Sequence, residues 1–142
     1  MGSGLSKPSS VAVDGSGNVY ILDTAPTETL QILKETLSAG SYTPSQLYSG
    51  SWYITGVAAD GNGSVYFSKT LEDEMPGSGG VFELTPTSSG YTTSTLDSTL
   101  NAVAVAVDGN DNVYTIDQGT YGPYSVSYTH LDVYKRQTAR RP

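Results

Sequence analysis

Three short segments of the chain place side-chain oxygens at a spacing that suits a metal ion. Each begins with an Asp-Gly pair, at Asp14, Asp60 or Asp108, and carries further Ser or Asn oxygens two and four residues later. Calcium-binding loops begin with ligands at this spacing but need a bidentate Glu at the twelfth position. The residues at that position are Ala25, Leu71 and Gly119. We therefore interpret the segments as turns, in which Asp and Asn bind their own backbone, and predict no metal site.

A second set of charged residues recurs at one equivalent position, nine residues after each of these aspartates. The set consists of Asp23, Lys69 and Asp117. Two interpretations are open. The row could form ion pairs between successive repeats, although exposed pairs contribute little to stability. It could instead line a ligand site where the repeats meet.

Aromatic and acidic residues lie near this row in the sequence. Trp52 and Tyr53 could stack on a sugar ring, or could belong to the core between two repeats. A run of three carboxylates could bind a cation, or could be a solvated loop. These carboxylates are Glu72, Asp73 and Glu74. A further aromatic residue, Tyr121, lies in the last loop of the repeats.

Residues for covalent or acid–base catalysis are scarce. The chain contains no cysteine, its single histidine is His130, and it has neither a G-x-S-x-G nor an HExxH motif. No spacing among the serines and aspartates pairs a nucleophile with a base. The sequence therefore predicts neither catalytic residues nor a cofactor, and it favours a non-catalytic protein.

A repeat positions all of these residues. Residues 11–23 and 105–117 agree at nine of thirteen positions, and a third version lies between them. The marker aspartates Asp14, Asp60 and Asp108 are 46 and 48 residues apart. A period in the forties with several strands per unit is typical of β-propeller blades. We predict an all-β chain of four-stranded antiparallel meanders that form an incomplete propeller.

Each unit contains two apolar strands joined by the Asp-Gly turn, followed by two polar strands. The predicted first strands are 10–13, 54–59 and 102–107, and the second strands are 19–22, 65–68 and 113–116. The predicted outer strands are 29–35, 41–48, 80–85 and 91–96. Alternating Val and Ala make both faces of a first strand apolar, so both faces must be covered. Stacking the units face to face does this, with the first strand innermost and the fourth at the outer edge.

The charge of the chain is unevenly distributed. Residues 1–125 carry three lysines against thirteen carboxylates, a net charge of −10, while residues 126–142 carry four cations against one carboxylate, a net charge of +3. The strongly negative charge of residues 1–125 repels the phosphate backbone of nucleic acids. This argues against nucleic acid as a partner. No apolar run is long enough to span a membrane. No signal peptide is visible, so either the protein is cytosolic or its natural N-terminus is missing. We expect the latter, because the acidity and the Ser, Thr and Tyr content favour an extracellular or cell-surface protein.

Residues 5–24, LSKPSSVAVDGSGNVYILDT, resemble the NHL repeat, whose blades join a Pro-containing lead-in to Val-Ala-Val-Asp, Gly-Asn-Val-Tyr and a final Asp. The likeness extends to residues 51–70 and 98–118. Lys69 departs from it by replacing the Asp, and residues 25–33 and 74–84 depart from the usual third strand. The resemblance implies a β-propeller fold but no single activity, because NHL proteins bind RNA, proteins or small molecules and related propellers are lyases or lactonases.

The resemblance divides the chain into a propeller segment and a tail. The segment covers residues 1–125, with blades at 5–50, 51–97 and a partial one at 98–125 that is expected to end after its second strand. Residues 126–142 break the composition and resemble read-through sequence in metagenomic open reading frames, so we predict that they are non-native. A genuine basic C-terminal arm is the alternative.

Together these features predict a non-catalytic binding or scaffold segment of an NHL-type propeller that presents loops to a protein or a glycan. The alternative is a fragment of a propeller enzyme, a lyase or metal-dependent lactonase, with active residues outside this chain. The loops that follow the second and fourth strands emerge on one side of a meander, and we expect the ligand face there. Its predicted residues are Asp23, Trp52, Tyr53, Lys69, Glu72, Asp73, Glu74, Asp117 and Tyr121. Terminal units without a neighbour should also make the chain self-associate.

Overall fold

The computed structural model describes residues 4–50, 53–71 and 79–118 and the backbone of residues 125–129. Across these residues the chain forms eleven strands and no helix, in three antiparallel sheets whose strand order follows the chain. The described part therefore contains no helix long and apolar enough to cross a membrane. The prediction of an all-β chain with four-stranded antiparallel sheets is confirmed.

The strands are numbered in chain order, and each sheet corresponds to one repeat. Sheet 1 contains β1 (Lys7–Val13), β2 (Val19–Thr24), β3 (Leu30–Ser38) and β4 (Ser41–Gly50). Sheet 2 contains β5 (Ile54–Ala59), β6 (Val65–Lys69), β7 (Gly80–Thr87) and β8 (Gly90–Asp97). Sheet 3 contains β9 (Ala102–Val107), β10 (Val113–Asp117) and β11 (Ser125–Thr129). The predicted strands overlap all of these except β11.

The third repeat contains a strand that the sequence did not lead us to predict. β11 pairs antiparallel with β10, with Asp117 opposite Ser125 and Val113 opposite Thr129. The expectation that this repeat ends after its second strand was therefore wrong. The sequence of β11, SVSYT, alternates small polar with larger residues as strands do, but the change of composition after residue 125 concealed it. That residues 126–142 are non-native stays a prediction, and residues 130–142 lie outside the described part of the chain.

The turn after the first strand of each sheet is a three-residue hairpin loop. In sheet 1 the Gly17 N–H donates to the Asp14 carbonyl at 3.1 Å, and Gly17 has a φ of 82°. A type I turn followed by a residue in the left-handed region closes such a hairpin, and glycine occupies that region without steric cost. Gly63 repeats this conformation in sheet 2, but Asp111 adopts it in sheet 3, with a φ of 61°. The third turn therefore carries a backbone strain that the first two avoid.

The sheets pack face to face in a row that is not closed, sheet 1 on sheet 2 and sheet 2 on sheet 3. The first strands of neighbouring sheets are in contact. The Val57 N–H donates to Ser10 Oγ at 3.3 Å, and Thr55 Oγ1 donates to the Ala102 carbonyl at 3.0 Å. The fourth strands, β4 and β8, are polar and largely exposed, as edge strands usually are.

Two apolar clusters fill the spaces between the sheets, which we call junction 1–2 and junction 2–3. At junction 1–2 the buried Phe67 ring lies 4.9 Å from the Tyr48 ring and 5.1 Å from the Phe82 ring. At junction 2–3 smaller side chains, mainly Val and Ala, surround the buried Tyr66. Burial of this apolar surface is the main contribution that holds the row of sheets together.

Candidate functional site

The two ends of each sheet differ in the connections that they carry. The Asp-Gly turns emerge at one end, which we call the turn end. The connections that follow the even-numbered strands β2, β4, β6, β8 and β10 emerge at the other end, which we call the loop face. The candidate metal ligands of the sequence lie at the turn end, and the predicted ligand residues belong to the loop face.

At the turn end, the Asp14 carboxylate is surrounded by donors from its own hairpin. Its Oδ1 accepts hydrogen bonds from the backbone N–H groups of Ser16 and Asn18 at 2.9 and 3.0 Å. Its Oδ2 accepts from Asn18 Nδ2 at 2.7 Å and from the Tyr20 hydroxyl at 2.9 Å. The other two turn aspartates accept from backbone N–H groups and from a tyrosine in the same way. The interpretation of these segments as turns is therefore confirmed.

The tyrosine six residues after each turn aspartate is a partner that sequence reasoning missed. Tyr20 and Tyr66 are fully buried, and their hydroxyls donate to Asp14 Oδ2 and Asp60 Oδ2 at 2.9 and 3.2 Å. Tyr114 makes the same bond in sheet 3, at 3.0 Å. A signal was present, because the tyrosine recurs at one offset in all three repeats and a buried phenol hydroxyl needs a partner.

These hydrogen bonds favour the ionised form of the turn aspartates. Burial alone would raise the pKa of the Asp14 carboxyl, but the bonds from Asn18 and Tyr20 outweigh it and lower the pKa below its ordinary value. In sheet 3 the bonds from the Asn112 side chain and backbone lower the pKa of Asp108 to about 2. Both carboxylates are therefore charged near neutral pH and act as fixed acceptors for the turn.

The buried tyrosines are held in the protonated form. Burial, the neighbouring Tyr91 hydroxyl and the Asp14 carboxylate all raise the pKa of Tyr20. Burial and the nearby carboxylates of Glu83 and Asp60 raise the pKa of Tyr66. A protonated hydroxyl beside an ionised carboxylate is a stable donor–acceptor pair, so the Asp–Tyr contacts serve the fold of each hairpin.

At the loop face, Asp23 is fully buried and bonds within its own sheet. Its Oδ1 accepts from the backbone N–H groups of Ser6 and Lys7 at 3.0 and 2.8 Å, and its Oδ2 accepts from Gln31 Nε2 at 3.0 Å. The side chain therefore ties the beginning of β1 to β2 and β3. Of the two interpretations of the charged row, these contacts favour a structural role for Asp23, within one repeat rather than between repeats.

Asp117 has the equivalent position in sheet 3, and Asn101 connects it to sheet 2. Asp117 Oδ1 accepts from the Asn101 N–H at 3.0 Å, across the same sixteen-residue offset as in sheet 1. Asn101 Oδ1 accepts from the Leu71 N–H at 2.9 Å, and the Asn101 carbonyl accepts from the Gln118 N–H at 3.0 Å. Asn101 thus joins the loops of two sheets. Sequence reasoning missed it, and only its offset from Asp117 could have indicated it.

Sheet 2 lacks this hydrogen bond between an Asp carboxylate and the backbone N–H sixteen residues earlier, and it differs at both ends of the bond. Lys69 stands where the other sheets have Asp and offers no oxygen to an N–H group; its Nζ lies 5.8 Å from the centroid of the Phe82 ring. Sixteen residues earlier, Tyr53 has a φ of 89°, a left-handed value that is unusual for a bulky side chain. The backbone bond at this position is nevertheless kept, because the Tyr53 carbonyl accepts from the Thr70 N–H at 3.0 Å as the Asn101 carbonyl does from the Gln118 N–H in sheet 3. The loop face is therefore built differently in sheet 2 from sheets 1 and 3.

Five of the predicted ligand residues lie outside the described part of the chain. They are Trp52, Glu72, Asp73, Glu74 and Tyr121. In the sequence, Trp52 directly precedes Tyr53 and the acidic run directly follows Leu71, so four of the five adjoin the region where sheet 2 departs from the repeat. As a ligand site, the full set of nine residues stays a prediction.

Neither a protein-family model nor a curated protein matches this chain. The resemblance to the NHL repeat therefore stays a prediction. Among the described residues, no group of three or more His, Asp or Glu side chains is arranged to hold a metal ion.

Proposed function

We propose that this chain is a non-catalytic binding or scaffold segment of an NHL-type β-propeller, from a surface or secreted protein, and that its loop face binds a protein or a glycan. Three features support the assignment of the sheets as blades: the repeat of 46 and 48 residues, the meanders in chain order, and the contacts between first strands of neighbouring sheets. Each of these features is typical of blades stacked around an axis.

The observation that carries the binding proposal is the departure of sheet 2 from the repeat. In sheets 1 and 3 an Asp at the loop face binds the backbone at the start of the first strand. In sheet 2 Lys69 replaces that Asp, and Tyr53 adopts a left-handed backbone. Such a backbone costs about 1–3 kcal/mol for a residue other than glycine, and it persists mainly at functional positions. A local departure from an otherwise regular repeat supports function at that place.

The residues around this departure indicate the chemistry of the ligand. Tyr53 is half-buried, and Trp52 precedes it in the sequence. Aromatic rings of this kind stack on sugar rings and anchor protein interfaces. Asp23 is buried, but Asp117 is half-buried and three further carboxylates follow Leu71 in the sequence at 72–74, so the loop face offers negative charge to a ligand. A neutral glycan or a cationic protein surface therefore fits better than an anionic ligand.

The proposal can be tested by fluorescence, because Trp52 is the only tryptophan in the chain. Titration with neutral hexasaccharides of glucose, xylose and N-acetylglucosamine, and separately with a lysine-rich peptide, should shift the tryptophan emission for the class that binds. Tyr53→Ala and Tyr121→Ala should each weaken that binding by about tenfold, since anchoring aromatics often contribute more than about 1 kcal/mol.

The matched control lies at the opposite end of the sheets. A variant with Ser16, Asn62 and Asn110 all replaced by Ala should bind within about twofold of the parent, because surface sites away from a contact have small effects. If this variant binds more weakly and the two tyrosine variants do not, the loop face is the wrong surface. If neither the saccharides nor the peptide changes the emission, the binding proposal fails.

A further inference from the structure

Within the part of the chain that the structure describes, the row of sheets exposes an apolar face at each end. On sheet 1, Val11 and Val13 are 64% and 59% exposed, and we call their side of the sheet the leading face. On sheet 3, Tyr114 and Ile116 are 36% and 39% exposed, and we call their side the trailing face. Large apolar side chains exposed together on a sheet usually mark a contact surface.

The residues equivalent to these are buried inside the chain. Val57 corresponds to Val11 in the repeat and is 6% exposed at junction 1–2. Tyr20 and Tyr66 correspond to Tyr114, and both are 0% exposed. At both junctions the trailing side of one sheet packs against the leading side of the next. The chain thus contains two examples of the contact that its own end faces could make.

We propose that the leading face of one copy of this chain docks on the trailing face of a second copy, in the arrangement of junctions 1–2 and 2–3. The internal contacts identify the partner as a second copy of the chain. Inside the chain, the side chains that pack with Tyr20 and Tyr66 come from the same repeat positions as Val11 and Val13. The proposal does not depend on the ligand of the loop face.

The trailing face has the shape that this docking needs. A depression of about 130 Å³ lies there, lined by residues 104–106 of β9 and 114–116 of β10. At junction 1–2 the corresponding residues Tyr20 and Leu22 pack in one cluster with Val57 of the next sheet. In the docked pair Val11 of the second copy takes the place of Val57.

The turn of the docking sheet also fits. At junction 1–2 the left-handed residue of the turn is Gly63, and a Cβ there would lie 3.6 Å from the Tyr20 hydroxyl. In the docked pair the equivalent residue is Gly17, which has the same left-handed conformation and no side chain. The approach to Tyr114 is therefore as open as the approach to Tyr20. At junction 2–3 the equivalent residue is Asp111, but the docked pair would have Gly17 at this position, as junction 1–2 has Gly63.

The contact joins two different faces, so it is heterologous. Each docked copy still presents one leading and one trailing face at the ends of the pair. Association of this kind continues until a ring closes or an open assembly forms. Size should therefore increase with concentration until a ring closes, and two copies of three sheets each could already close as a ring of six sheets.

Complementation of two charged variants tests this arrangement. Val11→Asp blocks the leading face, and Ile116→Asp blocks the trailing face, because a buried carboxylate without a partner opposes docking. In sedimentation velocity the unmodified chain should form concentration-dependent oligomers, and each variant alone should be monomeric. An equimolar mixture should form a one-to-one heterodimer, since only one leading and one trailing face remain. Thr93→Asp, on the exposed strand β8, is the control and should associate like the unmodified chain.

Each alternative gives a different result and overturns the proposal. If Val11→Asp dimerises alone, trailing faces pair with each other; if Ile116→Asp dimerises alone, leading faces pair. A monomeric unmodified chain up to hundreds of micromolar, or a mixture that stays monomeric, would show that the faces do not dock. Circular dichroism checks the fold of each variant, and Val13→Asp and Ala106→Asp, also at exposed positions, replace any that fails to fold.

Discussion

Junctions 1–2 and 2–3 join successive sheets of the same repeat, yet they are built from different chemistry. At junction 1–2, Phe67 packs between Tyr48 and Phe82, and Lys34 Nζ donates to the Tyr91 hydroxyl at 3.0 Å. At junction 2–3 the residue equivalent to Phe67 is Thr115. It is buried, and its hydroxyl donates to a carbonyl of its own sheet at 2.7 Å.

The polar residues of the two junctions also differ. Lys34 lies beside the rings of Tyr20 and Tyr91, with its Nζ 5.4 and 5.5 Å from their centroids. The equivalent residue in sheet 2 is Glu83, which lies near Tyr66 together with Asp60 and Asp111. Like charges at short range oppose each other, whereas a cation over a ring is attracted. The repeated turn and hairpin are common to both junctions. We therefore expect the positions that vary between repeats to decide which junction is the stronger.

The largest expected effect comes from removing the ring at junction 1–2. Phe67→Ala should lower the free energy of unfolding by about 3–5 kcal/mol, because it leaves a cavity between two aromatic rings. The matched change at junction 2–3, Thr115→Ala, should cost about 1 kcal/mol for the lost hydrogen bond. Urea unfolding monitored by circular dichroism measures both. Equal losses would contradict the view that junction 1–2 is the stronger.

High pH should destabilise both junctions through their buried tyrosines. The pKa values of Tyr20 and Tyr66 are raised in the folded chain, so the hydroxyls ionise first in the unfolded chain, near the ordinary value of about 10. Their contribution to stability is therefore complete below pH 10 and is lost as the pH rises above it. Unfolding free energies at pH 8 and pH 11 should show this loss, and it should shrink in Tyr20→Phe and Tyr66→Phe. Variants that lose as much as the parent would rule out these hydroxyls as the cause.

Neutralising the charged residue of each junction should give effects of opposite sign. Glu83→Gln should raise the free energy of unfolding by about 0.5–1 kcal/mol, because it removes one of several carboxylates around Tyr66. Lys34→Gln should lower it by about 1 kcal/mol, because the Tyr91 hydroxyl loses its donor and two rings lose their cation. Thermal melts at low and high salt measure both, and the gain in Glu83→Gln should decrease at 1 M salt. A loss of stability in Glu83→Gln would contradict the comparison.

The smallest expected effect concerns the turn at each junction. Asp111→Gly should raise the free energy of unfolding by about 0.5 kcal/mol, because relief of the left-handed strain exceeds the added flexibility of the unfolded chain. The reverse change, Gly63→Asp, should cost about 1 kcal/mol or more, since it introduces that strain beside the Asp14 carboxylate. Denaturant midpoints of the pair should move in opposite directions. Movement in the same direction would show that strain in the turn does not distinguish the junctions.

The strands and turns could be predicted from the sequence because local rules fix them. Alternating Val and Ala before an Asp-Gly pair predict β1, β5 and β9, and the turn oxygens predict the hairpin loops. Residues 11–23 and 105–117 are identical at nine positions, so the same strands and turn are predicted for both segments. β11 was missed because it lies where the composition changes, and pairing with β10 overrides that change.

The candidate site was less predictable because it depends on contacts across the repeats. From the sequence alone, Asp23 is expected to be an exposed charged residue. In the structure it is buried and accepts hydrogen bonds from three donors. The left-handed conformation of Tyr53 is not indicated by any local pattern, because no glycine or asparagine stands at that position. Asn101 joins two loops through backbone N–H groups, and backbone donors leave no mark in the sequence.

The closure of each hairpin by an Asp and a Tyr six residues apart also has a consequence for the order of folding. Such a contact spans a very short loop, and a short loop loses little chain entropy when it closes. The contact between Ser10 and Val57 spans 47 residues and loses more. We therefore expect the three inner hairpins to form contacts before the junctions between the sheets do. On this expectation, contacts between sheets, which join residues far apart in the sequence, limit the rate of folding.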